Sequence, residues 1–302
     1  MRKGHENEEN YFFTTLMTNT IVSCDDFIIK LYCIIDDLHR LLEGRLLGRR
    51  DGRKSVLSDS ACMTLAILRW KSGSGNWKSF YREVLPWYRK YFPNLPDYKN
   101  FISHIHRVTP LITQLIPLLL QVAKAQGEHR IYFIDSTPLP VCRTKRIEDN
   151  RTARGLASRG KHSLGWFYGF KLHAVCDTEG RLVAITVTSG STHDSVPVVD
   201  LVRELSGVLV GDAAYVGEEL RKELQAMGVY LQAAPRKNMN KLMTKLQGFL
   251  FRQRQAIERV FSSLKYRFHL DLSLARSISG MLALITTALC FYQLKTTLLP
   301  VS

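Results

Sequence analysis

Apolar residues recur three and four positions apart over 27–47, 57–70 and 101–122, the spacing of helices with one buried face. Ser58 or Asp59 precedes the second run, where a short side-chain oxygen can cap the free N–H groups of a first turn. Pro86, Pro93 and Pro96 divide the following stretch into short pieces, and Pro117 predicts a kink in the third helix. The pattern changes at Arg130. Ile131-Tyr132-Phe133-Ile134 is a four-residue apolar run that ends in Asp135, and Val208-Leu209-Val210-Gly211 is a second that ends in Asp212. Such runs suit central strands buried on both faces. Between them, 166–176 and 181–189 read as strands joined by the hairpin turn Asp177-Thr178-Glu179-Gly180. A helix over 217–227, a strand over 229–233, a helical pattern over 242–268 and a last helix over 278–298 complete the order. The expected class is α/β: a mixed sheet flanked by helices over 128–302, preceded by an all-α domain over 1–127. No internal repeat or low-complexity tract interrupts this order.

Composition adds a partner. The 302 residues are 45% hydrophobic, enough for one large core or two ordinary ones. Lys and Arg number 42 against 27 Asp and Glu, a net charge of +15 that favours a polyanion, and nucleic acid ahead of an anionic membrane. The six cysteines form no CxxC pair, which argues against a disulfide framework or a structural zinc site and for free thiols in a reducing compartment. The uncharged stretch 277–294 carries Ser277, Ser279, Gly280, Thr286, Thr287 and Gln293 and reads as a core helix rather than a membrane span. With no signal peptide in view, the expected setting is the cytoplasm, with no membrane partner.

The candidate chemistry lies in three acids. Side chains at the ends of central strands collect into sites in α/β sheets. Strands 77 residues apart in sequence could bring Asp135 and Asp212 face to face, where two carboxylates repel unless a cation lies between them. Phe251, Arg254, Glu258 and Lys265 fall on one face of a continuous helix, so Glu258 can supply the third acid between two cations. Hard oxygen ligands select Mg²⁺ or Mn²⁺, and a pair of such ions can cleave a phosphodiester. Each acid alone is more simply a turn, cap or surface residue. Two strand-end acids, a helix acid and a basic chain together favour the metal site.

At these residues the chain resembles the DDE transposases of bacterial insertion sequences. Tyr132-Phe133-Ile134-Asp135-Ser136-Thr137 looks like their first-Asp strand, and Gly211-Asp212-Ala213-Ala214-Tyr215 like the second-Asp motif. Phe251-x2-Arg254-x3-Glu258-x6-Lys265 matches their Tyr-Arg-Glu-Lys signature with Phe for Tyr. The segments 166–173 and 192–195 are also family-like. Asp135 to Cys142 and Arg236 to Met239 resemble the insertion-sequence 982 group most closely. The resemblance implies a ribonuclease-H-like domain, catalytic and metal-binding roles for Asp135, Asp212 and Glu258, and two Mg²⁺ or Mn²⁺ ions. It implies DNA hydrolysis and strand transfer at the ends of an element, on double-stranded DNA, in a homodimer or larger assembly. A nuclease that cuts without joining, or a non-catalytic DNA-binding descendant, are the alternatives.

Further cations are candidate DNA contacts. Residues 143–161 read as a basic loop between the first two strands, with Arg143, Lys145, Arg146, Arg159 and Lys161 as its phosphate contacts. Lys171, Arg236, Lys237, Arg254 and Lys265 join that set. Lys171 and His173 either point into the cleft or sit on a wet sheet face. Asp194 is a rival acid, ranked below the three. His104 and His106, two residues apart, read as surface residues rather than zinc ligands. The aromatics Trp70, Trp77, Tyr81, Trp87 and Tyr88 read as core or, with Lys71, Lys78 and Arg82, as a DNA-binding surface of the N-terminal domain.

Overall fold

The computed structural model describes residues 24–46, 55–127, 130–162, 165–234, 244–270 and 275–299. The chain forms two compact units, Met1–Leu119 with Thr286–Ser302, and Leu120–Ile285. The sequence boundary near 127 placed all of 128–302 together, whereas the last helix is shared: its C-terminal part groups with the N-terminal helices. A sequence order of elements cannot show that return.

In the helical unit, α1 (Cys24–Leu46) buries Phe27, Leu31, Ile34, Ile35 and Leu38, a stripe at helical spacing. Helix α2 (Asp59–Ser72) is buried almost all round, from Ser60 through Trp70. Ser58 caps it by accepting from the Ala61 N–H at 3.1 Å, and Gly73 ends it at φ 69°. The segment Trp77–Tyr88 is a series of short turns, as its proline predicts. Helix α3 (Tyr98–Gln126) continues through both Pro110 and Pro117. Of the aromatic group Trp70 is core: it is buried and donates from Nε1 to Thr287 Oγ1 at 2.9 Å, while the half-buried Tyr81 packs on Tyr98 and Phe101. Trp87 alone of these is fully on the surface, at 81% exposure.

His104 is not a surface residue. It is buried, and its Nε2 lies 2.6 Å from Asp59 Oδ1, pinning α3 to the first turn of α2. This contact, with Arg107, holds the Asp59 carboxyl down at about 2. A lowered acid stabilises the fold above its unfolded value and loses that contribution as pH falls through the folded one. Asp59→Asn is therefore expected to cost about 2 kcal/mol at neutral pH, and the difference from the parent should close between pH 4 and pH 2. Urea unfolding followed by tryptophan fluorescence at a series of pH values measures it. A gap unchanged across that range would show that the pair adds no charge-dependent stability.

The second unit is built on a six-stranded mixed sheet: β1 (Ile131–Cys142), β2 (Ser158–His162), β3 (Gly165–Cys176), β4 (Leu182–Ser189), β5 (Gly207–Gly211) and β6 (Val229–Ala233). The order is β2-β3-β1-β5-β6, with β4 also pairing β3. Strands β1, β3 and β4 are antiparallel, while β5 and β6 run parallel to β1. This is the ribonuclease-H-like arrangement, with β2 as an added edge piece. The strand pattern set these elements: Ile134, Val175, Leu209 and Val229 are buried, and the short helices α4 (Val198–Val202) and α5 (Glu218–Ala226) contribute Val198, Leu201, Val202 and Leu224 to the same core.

Three local expectations change. Asp135 does not end β1; the strand continues to Cys142 against β3. Pairing with β5 stops at Phe133, so one edge of β1 is left open beyond it and tolerates Pro138 and Pro140. The basic segment 143–161 is not all loop, since Arg159 and Lys161 lie on β2. Gly160 marks that strand: a Cβ there would meet Gly190 O at 2.1 Å. Finally, the 242–268 helix is broken. Helix α6 (Lys245–Gln253) ends at Arg254, α7 (Gln255–Ser262) follows, and Ser263–Arg267 is a π-helical turn. At the junction the Ile257 N–H donates to Arg254 O, a tighter turn than α-helix. Helix α8 (Ile278–Thr297) is the last element, apolar and long enough to cross a membrane by composition but with most of its apolar window buried.

Candidate active site

Strand pairing places the first two acids. Ile131, Tyr132 and Phe133 pair in parallel with Val208, Leu209 and Val210, an offset of 77 residues. Two residues past the last pair, Asp135 continues along β1 and Asp212 follows the end of β5, and the charge of Asp212 is felt at Asp135. Asp212 leaves β5 and caps a short turn, Ala213–Tyr215, by accepting from the Ala214 N–H at 2.8 Å. Its capping role and its place at the strand end are thus both real. Asp135 accepts from the Ser136 N–H through Oδ1 and from Arg254 Nη2 through Oδ2, at 2.8 and 2.7 Å.

That second contact comes from the junction of α6 and α7, which packs over β1 and β3 through Ala256, Ile257 and Val260. Burial pushes the Asp135 carboxyl up to about 6, against the pull of Arg254 and the Ser136 N–H, and the Asp212 charge adds to the rise. The guanidinium of Arg254 stands where a cation is called for. Glu258 lies one turn beyond Arg254 on α7 and is exposed. Among the described residues no three His, Cys, Asp or Glu side chains are grouped to hold a metal ion. Asp135 and Asp212 thus both follow the last rung of the β1–β5 pairing, and Glu258 lies one turn past the residue that reaches Asp135.

The family described as "Transposase DDE domain" matches residues 125–278, just over half of the chain. The chain belongs to the DDE transposases. The matched span contains the whole sheet and the helices that carry Arg254 and Glu258. No curated protein matches significantly. Among solved structures, a piggyBac transposase synaptic complex with hairpin DNA is similar at 11% identity and a TM-score of 0.48, over 88% of this chain and 73% of that one. A Mos1 transposase paired-end complex with left transposon end gives 10% identity and a TM-score of 0.23, over 88% and 92%.

In this transposase the neighbours of the acid pair differ in part from those the sequence suggested. Asp194 accepts from Ser136 Oγ at 2.8 Å and from Lys171 Nζ at 2.9 Å. Lys171 is largely buried in that ion pair, and His173 is fully buried with Nε2 2.8 Å from Thr188 Oγ1, so neither sits on a wet sheet face. Arg254 is turned inward onto Asp135. Lys265 lies in the π-helical turn close enough to His162 to depress its ionisation, after burial, with Lys171 adding to the effect and Asp194 opposing it. Arg143, Lys145 and Arg146 are exposed just past β1, Arg159 and Lys161 are exposed on β2, and Arg159 pairs with Glu148. Arg236 and Lys237 lie outside the described residues. Two residues were missed. Ser136 was read only as part of a motif, yet it links the first-acid strand to Asp194. Tyr215 was read the same way, yet its ring is buried in the core with Ile134 and packs over Gly211. The signal for both was position: one residue after the first acid and three after the second.

Proposed function

We propose that this protein cuts and joins DNA at the ends of its own element, an insertion sequence of the 982 type, with Asp135, Asp212 and Glu258 as its catalytic acids. The observation that carries the reading is that Asp135 and Asp212 both lie just past the last rung of the β1–β5 pairing, with a cationic group held on Asp135. Two hard carboxylates that need a positive counter-charge suit Mg²⁺ or Mn²⁺. Asp135 and Asp212 would hold the metal, with Glu258 as the third acid from α7. Bound there, a pair of divalent ions supplies Lewis-acid stabilisation of the scissile phosphate and acidifies the attacking hydroxyl or water.

The chain's own residues do the rest. The Ser136 N–H and the Ala214 N–H each fix one carboxylate oxygen, which orients the other oxygens of the pair. The Lys171–Asp194 pair keeps a second acid neutralised beside the first. The exposed cations Arg143, Lys145, Arg146, Arg159 and Lys161 can neutralise phosphates of double-stranded DNA that approaches the sheet end, and Lys265 can do so from the helix side. Arg254 would serve DNA only after leaving Asp135. Pairing two element ends calls for a homodimer or larger assembly.

The test is an assay of strand transfer from pre-cleaved, labelled element ends into a target plasmid, with Mg²⁺, with Mn²⁺ and with neither. Joined products are expected only with a divalent ion. Cleavage of intact ends without any joining would identify a nuclease instead.

A further inference from the structure

Two cations and two aromatics share one side of the β2–β3 ribbon. Arg159 pairs directly with Tyr168, and Lys161 with Trp166. Residues opposite each other in an antiparallel pair point to the same side, about 5 Å apart at Cβ, and the side alternates at each step. Arg159, Lys161, Trp166 and Tyr168 therefore stand on one side, with Gly160 and Phe167 on the other. Burial follows that division. Phe167 is buried, and a Cβ at Gly160 would meet its Cζ at 2.6 Å and Gly190 O at 2.1 Å, so the inner side is closed. On the outer side Arg159 and Lys161 are exposed, Tyr168 is half-buried, and Trp166 is 64% exposed.

The opposite edge of β3 adds more charge. Strand β3 lies between β2 and β1, and the turn Thr144–Arg146 just past β1 is tied to Trp166, whose carbonyl accepts from Thr144 Oγ1 at 3.4 Å. Lys145 and Arg146 in that turn are exposed. An indole open to solvent with cations on both flanks suits a polyanion that also offers flat rings. Bases inside a duplex are stacked on one another, whereas an unpaired base has a face to give. Phosphates then meet the cations while bases meet the rings. We propose that this face binds an unpaired stretch of DNA strand, with a base stacked on Trp166 and phosphates on Lys161 and the Thr144–Arg146 turn. The proposal rests on the DNA-processing reading given above and adds the strand state that is taken up. The face is separate from the acids. Ala174, the partner of Asp135, is eight positions along β3 from Trp166, about 26 Å at strand spacing. A strand displaced when an end is cut would thus be held away from the chemistry.

Fluorescence anisotropy of a labelled thymidine oligonucleotide and of a duplex, each about 20 nucleotides long and without divalent ions, reads the two strand states. Trp166→Ala should weaken binding of the single strand by about tenfold or more, and of the duplex by less than about twofold. Trp166→Phe keeps an aromatic face and should recover much of the loss. Lys161→Gln should weaken both and lower the salt slope by about 0.7 on the single strand and about 0.9 on the duplex. Single-strand binding by Trp166→Ala within about twofold of the parent, or an equal loss on both DNAs, would overturn the proposal. So would a change from dimer to monomer in sedimentation velocity with DNA binding unaltered, which would make the face a contact between copies of this chain. A parent that binds the duplex but not the single strand defeats this proposal alone. If the parent binds neither, the DNA-processing reading falls with it.

Discussion

Asp135→Asn is expected to abolish strand transfer, by about 10³-fold or more, while the protein stays folded. The stability half of this expectation comes from two opposing effects. The carboxyl is raised from 3.8 to about 6 by burial, so its ionised form is disfavoured in the fold by about 3 kcal/mol at neutral pH, and a neutral amide relieves that. Against this works the pull of Arg254, which is already part of that balance, so the neutral amide should leave the fold about as stable as the parent or more so. Thermal unfolding and a strand-transfer assay on the same preparation measure both halves. Retained joining activity would remove Asp135 from the chemistry. A collapse of the fold would show that the Arg254 contact outweighs the burial of the carboxylate.

Glu258→Gln should give an equal loss of activity with a different stability signature. Glu258 is exposed on α7, and the buried face of that helix is made by Ala256, Ile257, Val260 and Phe261. A surface change away from caps and cores is worth about 0.5 kcal/mol or less. The variant should therefore unfold like the parent and bind element-end DNA like the parent, yet join nothing. Filter binding and strand transfer, run together, give the answer. Normal joining by Glu258→Gln would leave Asp135 and Asp212 as a two-acid centre and point the search for a third ligand toward Asp194, already linked to the first strand through Ser136.

The contrast between these variants reflects how each acid was found. Asp135 and Asp212 follow runs of apolar residues, and runs of that kind become central strands wherever both faces are covered. Their neighbouring placement needed only that β1 and β5 pair in parallel, and the constant 77-residue offset does that. Glu258 was placed by counting along one continuous helix. The structure tightens the run at Arg254, whose guanidinium reaches Asp135 119 positions away, a contact that counting along a helix does not show. His104 shows the same limit. Two histidines two residues apart say nothing of a partner 45 positions earlier, and Asp59 is what draws His104 into the core.

Periodicity and strand chemistry along the chain determined the order of helices and strands, the cap at Ser58, the β3–β4 hairpin and the two acids that follow apolar runs, because each depends on residues within a few positions of one another. Only the folded chain decided that β1 runs on past Asp135, that Arg254 occupies Asp135, that Lys171 and Ser136 hold Asp194, and that Tyr215 joins the core beside Ile134. Those outcomes join residues tens to more than a hundred positions apart, and which charge or ring reaches which depends on how the sheet and its covering helices pack.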